Sequence, residues 1–549
     1  MRDALGTSLA LHPTACTRIA PRPPLTHSCG NGQNIPSTTR RTMRKPIAVA
    51  TIAIAALALS ACSAETGGGN GSGSTATLRL SAIAAAESFA PGAFGTGPVT
   101  IVLEPVYDSI FRNDDEGEPG AHIATEWSYD DSNTVLSLTL RDDVTFTDGT
   151  ALDADAVKKN LDSARAQSGE SGGQLRFISS VDVVDATHLT ITLTAPDPSL
   201  LTNLGGTAGM LASPAALDTP ELATVPVGSG PYEYDQAQSQ AGTTYVYDRN
   251  EDYWDKDAYP YDSVTVTVYN DATSLINSLR SGQLDSGVVD AKEVAGLESA
   301  GLKTTSAPAY TTSGLFLFDR AGTQVPALGD VRVRQAINYA FDRSAFADQV
   351  FGGEATATDQ MFSADSSAYD PALEDVYPYD VDKAKALLAE AGYADGFDLP
   401  MPDVSVVFPA QQAAVTEALT AIGIRPQYQP VNGATFISDL LSAKYPAAIF
   451  NLNSFRPWDV AQLSMTSQSV WNTFKTDDPT VNGLITTAQT QTGDEQDATF
   501  QELNTHIVEQ AWYAPYAQQN NVYATSSSIS ITPQKYLTSI PLWNYAPAS

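Results

Sequence analysis

Apolar and polar positions alternate through much of the first half of the chain. Leu136, Leu138 and Leu140 are separated by Ser137 and Thr139, and Leu189, Ile191 and Leu193 by Thr190 and Thr192. Val264, Val266 and Val268 are spaced in the same way by Thr265 and Thr267. A period of two predicts strands with one buried face. Asp148-Gly149 and Gly228-Ser229-Gly230-Pro231 punctuate these runs as turns. The period lengthens after Asp153, which can cap a helix carrying Ala156, Val157 and Leu161 on one face. Helix dominates the second half. Asp330 precedes a stripe of Val333, Ile337, Ala340 and Phe341; Asp380 precedes one of Ala384, Leu387, Leu388 and Ala391, with Gly392 as the stop. Residues 404–407 and 447–450 read as short buried strands. Strands and helices mixed throughout, with no repeat of fixed period, predict an α/β or α+β fold rather than a sandwich or a bundle.

One apolar run fits none of these elements. Ile47 to Leu59 carries no charge over 13 residues, follows Met43-Arg44-Lys45-Pro46, and leads into Leu59-Ser60-Ala61-Cys62. It is short of the ~20 residues a spanning helix needs. A basic start, an apolar stretch and a small residue make a secretory signal. A Cys directly after the small residue resembles a bacterial lipobox, whose Cys takes a diacylglycerol and becomes the new N-terminus. Residues 1–42 lack a hydrophobic period and are expected to be a mis-assigned start ahead of Met43, with a long twin-Arg leader through Arg40-Arg41 as the rival. Residues 43–61 would then be the signal and 62–77 a lipidated Cys with a Gly/Ser-rich tether. Cys16 and Cys29 lie upstream, so no disulfide and no Cys-based metal site is expected downstream.

Charge and missing motifs narrow the function. The chain has a formal net charge of −33. Seven of its 30 basic and one of its 63 acidic residues precede Cys62, leaving −39 on the 488 residues that follow. Such a surface repels a phosphate backbone, so no nucleic-acid partner is expected. That length calls for two or three domains. There is no phosphate-binding loop, no dinucleotide fingerprint and no HExxH. His122, His188 and His506 have no nucleophile context, and Asn113-Asp114-Asp115-Glu116-Gly117 lacks the alternating ligands of a calcium loop. No catalytic residue, metal or cofactor is assigned.

A set of short segments, kept in order from about residue 78 to the end, resembles the family 5 solute-binding proteins of ABC importers. They include Ser88-Phe89-Ala90-Pro91; Leu103 to Ile110, matching that family's early helix; Thr125-Glu126-Trp127; and Leu140-Arg141-Asp142-Asp143-Val144-Thr145-Phe146-Thr147-Asp148-Gly149-Thr150. Val227-Gly228-Ser229-Gly230-Pro231-Tyr232, Arg249 to Trp254, Leu279 to Asp285, Asp330 to Ala336, Ala340-Phe341-Asp342-Arg343 and Tyr379 to Tyr393 follow. Most have an architectural reading: turns, caps, and arginines whose stems cover core while their heads bond carbonyls.

The resemblance implies a two-lobed, α/β, type II-like periplasmic-binding-protein fold with an extra subdomain. Lobe I would take 78–110, 200–310 and 513–549, the subdomain 111–199 and lobe II 311–512, with crossings near 310 and 513. It implies a receptor, not an enzyme, that closes on a solute and delivers it to ABC permease subunits. The receptor would be a monomer held on the outer face of the cell membrane through Cys62. Peptide-binding relatives carry an Asp for the peptide α-amino group on a loop that here reads Ile449 to Asp459. The Asp position falls on Asn453 or Ser454, so that clamp is not expected. Arg456 offers a fork for a carboxylate or phosphate, and Phe455, Trp458 and Trp471 offer flat faces. The expected ligand-binding set is Asn451, Asn453, Ser454, Phe455, Arg456, Trp458 and Trp471. An extracellular peptidase or amidase with unrecognised catalytic residues is the alternative.

Overall fold

The computed structural model describes residues 77–548, apart from positions 94, 96, 168 and 434. The signal-like run, Cys62 and the tether up to residue 76 lie outside the described residues.

The alternating segments form strands where their period places them. Val135–Leu140 and His188–Leu193 pair at the centre of a four-stranded antiparallel sheet, flanked by Ala124–Tyr129 and Ile178–Val183. Leu136, Leu138, Leu140, Leu189 and Ile191 point into one core and meet Val157 and Leu161 of the helix Ala154–Arg165. Asp153 starts that helix by accepting the Ala156 N–H on its carboxylate at 2.9 Å.

A larger mixed sheet of nine strands carries the rest of the fold. Its path runs Ala447–Asn453, Lys303–Leu317, Tyr513–Thr525, Ser286–Val289, Leu78–Ala82, Ser263–Val268, Thr244–Arg249 and Tyr232–Tyr234; Ala355–Thr356 pairs separately with Tyr513–Thr525. Leu78, Leu80 and Ala82 lie in one core with Val264 and Val266. Farther along, Leu315 and Leu317 enter a second core and Phe316 and Phe318 a third, so this stretch of strand is buried on both faces. Burying a side chain of this size is worth about 1.5–3 kcal/mol. Helices Val331–Tyr339 and Val381–Glu390 cover one face, capped by Asp330 and Asp380 as expected. Arg334 reaches the carbonyls of Leu328 and Gln510. No helix among the described residues is long and apolar enough to cross a membrane.

Two local expectations are corrected. Residues 404–407 are not a strand: Val404 is buried, but Val406 is 93% exposed, and the Val407 N–H turns back to the Val404 carbonyl at 2.9 Å. The strand is Phe397–Pro402, whose ladder with Ile424–Gln429 ends at Pro402 and Gln429. The early helix spans only Thr100–Leu103, because Pro105 has no N–H with which to continue the ladder. The chain from 104 onward is instead held by Gly228 and Gly230. A Cβ on Gly228 would lie 1.8 Å from the Val106 carbonyl oxygen.

Lys303–Leu317 and Tyr513–Thr525 join the two ends of the large sheet. Lys303 to Pro308 pair with Thr525 to Asn520, and Thr311 to Phe316 pair with Gln519 to Tyr513. The register breaks between Pro308 and Thr311, and shifts again between Ser313 and Gly314. Tyr310 sits in that break at φ +48°, a left-handed conformation that a bulky residue holds only under constraint. Its carbonyl accepts the Ser454 N–H at 2.7 Å and its hydroxyl donates to Asp365 at 3.1 Å.

Candidate functional site

The strand Ala447–Asn453 pairs with Thr311 to Leu317 and releases its last residues beside the register break. A cavity of about 270 Å³ opens there. Ser81 to Ile83, Ser286 to Val288, Ala309, Thr311, Gln519, Asn521 and Thr538 to Ile540 line it. Asn453, the last residue of the strand, also lines it. None of its described lining residues is charged. Gln519 donates to the Ser313 hydroxyl at 2.6 Å and Asn521 to the Thr538 carbonyl at 3.0 Å, which holds both amides in place. Side-chain amides with one free donor or acceptor suit a partner that presents peptide groups.

Thr538 also lines a second cavity of about 130 Å³. Phe455, Arg456 and Asp459 face Asn113, Gln174, Asn203 and Tyr536 across it. Arg456 immediately precedes the helix Pro457–Ser464, and its guanidinium lies 4.8 Å from the centre of the Tyr536 ring. Its Nη2 is buried without a hydrogen-bond partner among the described residues. Burial pushes the Asp459 carboxyl up to about 6; the nearby Asp197 carboxylate adds to this, while Arg456 and the Ser199 hydroxyl oppose it. Tyr536 has a positive φ, like Tyr310, and the two rings stand 5.1 Å apart. Two strained tyrosines in contact mark this corner as held by its surroundings.

The predicted residues divide. Asn453, Phe455 and Arg456 line the cavities. Ser454 is wholly buried at the strand end. Asn451 lies within the strand, opposite Ser313, with its Oδ1 unpartnered. Trp458 is 3% exposed and packs in the core with Val460, Ala461 and Phe500, because the helix turns it inward one residue after Pro457. Trp471 lies against Phe450 with ring centres 4.5 Å apart and lines neither cavity. Gln519, Asn521, Tyr536 and Thr538 were missed. They stand far along the chain from Asn453; strand pairing brings Gln519 and Asn521 near, and contacts with Tyr310 and Asn521 bring Tyr536 and Thr538.

The family model for bacterial extracellular solute-binding proteins, family 5 middle, matches residues 118–474. The chain belongs to family 5 of the extracellular solute-binding proteins. Among its relatives is the glutathione-binding protein GsiB of Salmonella paratyphi A, 29% identical over 306 residues. That match covers 54% of this chain and 57% of GsiB, so the chain spans little more than half the length of that relative. Solved family-like folds include the substrate-binding protein CtaP of Listeria monocytogenes, with a TM-score of 0.76 at 20% identity, covering 87% of this chain and all of CtaP. DppA of Helicobacter pylori, in complex with the peptide STSA, has a TM-score of 0.73 at 20% identity over 86% of this chain and 98% of its own. The two-lobed periplasmic-binding-protein architecture follows from these matches and from the mixed sheet.

Proposed function

We propose that this family 5 protein captures a peptide or peptide-like solute outside the cytoplasm and delivers it unchanged to the permease subunits of an ABC importer. One observation carries the reading: an uncharged, amide-lined cavity at the register break shares Thr538 with a charged one at Arg456. The amides suit peptide groups, and the unpartnered Arg456 Nη2 suits a ligand carboxylate. The glutathione-binding relative and the peptide complex of DppA support the same class of solute.

In this reading lobe I (78–110, 200–310, 513–549) and lobe II (311–512) close about the strands that cross between them, and the subdomain 111–199 forms one side of the charged cavity. Small-angle scattering tests it: the radius of gyration is expected to fall when a bound peptide is present at saturation. Identical profiles with and without the peptide would remove closure. At a hundredfold excess over Kd, binding adds about 2.7 kcal/mol of stability. The peptide recovered afterwards should be intact; hydrolysis products would point to an enzyme.

The receptor is anchored through Cys62 on the outer face of the membrane and works as a monomer. Cys62→Ser is expected to shift the protein from the membrane fraction to the medium, or to leave its precursor unprocessed. Unchanged detergent partitioning of that variant would remove the anchor.

A further inference from the structure

Behind the Arg456 end of the cleft lies a recess of about 50 Å³. Thr100, Asn113, Gly206, Thr207 and Leu537 line both the recess and the charged cavity, which makes it the inner end of the same cleft. Its wall is rich in acceptors that have nothing to accept from. Thr207 and Gln534 are each 5% exposed, yet Thr207 Oγ1 and Gln534 Oε1 have no hydrogen-bond partner among the described residues. Asn113 donates its Nδ2 to the Thr202 carbonyl at 3.1 Å, and its Oδ1 is unpartnered. Gly205 packs against that amide; a Cβ there would meet Oδ1 at 2.4 Å. Glu104 adds a carboxylate whose Oε2 accepts the Leu542 N–H at 2.8 Å. Burial pushes this carboxyl up to about 7, opposed by the Leu542 N–H and by the charge of Arg112.

The other charged groups of the recess already have partners, several of them in its own wall. Arg112 donates to the Tyr259 hydroxyl at 3.0 Å and lies 3.5 Å from Asp255. Asp108 is surrounded by His122 at 2.9 Å, Tyr253 at 2.8 Å and Ser229 at 2.9 Å. Buried acceptors without donors are costly to leave so.

We propose that this recess is a specificity pocket for a primary ammonium group carried by the solute, such as the side-chain end of lysine or ornithine. The inference rests on the reading of the cleft as the solute site. An ammonium brings three donors and one positive charge, matching the three unpartnered oxygens and the Glu104 carboxylate. Its size is close to that of a water molecule, whose share of liquid volume is about 30 Å³, whereas a guanidinium is too broad for the space.

Calorimetry on the whole protein with alanine tripeptides carrying one lysine, norleucine or arginine at each position tests this. At one position lysine should bind about tenfold or more tightly than norleucine, the difference that charge-assisted hydrogen bonds confer, and arginine should gain nothing. That preference should collapse in Thr207→Val, which keeps the shape but removes Oγ1, and in Glu104→Gln. Should Glu104→Gln fail to fold, Thr207→Val alone carries the test. Tripeptides that bind with no lysine preference would overturn the ammonium pocket and leave the peptide reading standing. If no tripeptide binds, both fall.

Discussion

Replacing Arg343 with methionine is expected to cost about 3–5 kcal/mol of stability, seen as a large fall in the urea midpoint. Arg343 lies in the buried ring of carbonyls formed by Asn338, Thr358, Tyr377 and Pro515, and donates to each. Its Nε stands 2.5 Å from Asp359, whose side chain is 1% exposed. Methionine fills the stem's volume but leaves that carboxylate buried without its cation, and four carbonyls each lose one donor. Adding Asp359→Leu should restore much of the loss, because the pair is costly mainly when broken. A single-variant loss below about 1 kcal/mol would show that Asp359 is satisfied without Arg343.

Arg456→Ala is expected to weaken solute binding by about 2–5 kcal/mol, the cost of leaving a buried ligand anion without its cation. Arg456→Lys should weaken it too, since an ammonium cannot reproduce a two-pronged fork. The unliganded protein should lose less, only the Tyr536 contact and the charge that Arg456 lends the buried Asp459, because Nη2 has no hydrogen-bond partner among the described residues and the head lines a cavity. Titrating the co-purified solute, once identified by native mass spectrometry, into both variants separates the readings. Wild-type affinity in Arg456→Ala would remove the residue from the site.

Arg343 and Arg456 mark what the sequence could and could not reveal. The segment Ala340-Phe341-Asp342-Arg343 was one of the ordered set that carried the family resemblance, and its arginine proved architectural. The helices capped by Asp153, Asp330 and Asp380 were legible because period and cap agree locally. Val404 to Val407 misled because a valine-rich stretch says nothing about whether a partner strand exists, and here the ladder ends at Pro402. Within Asn451 to Asp459, alternation could not say where the strand would yield to helix. Trp458 therefore read as a cleft residue although the helix beginning at Pro457 turns it inward. The amides of Gln519 and Asn521, and all of Tyr536 to Thr538, carried no local signal. Their role depends on contacts more than 60 residues away in sequence, such as Gln519 Nε2 with Ser313 and Tyr536 with Tyr310.

The paired strands that cross at Tyr310 are joined by hydrogen bonds on both sides of their register break. A ribbon of this kind flexes across its flat face far more readily than it shears or stretches, since sliding one strand along the other would break several ladder bonds at once. If the cleft closes as proposed, its two sides share one soft coordinate. A single pair of spectroscopic labels, one on each side of the break, would report the grip on any solute, whatever its length or charge, and competing solutes could be ranked on one scale by how far each draws that distance in.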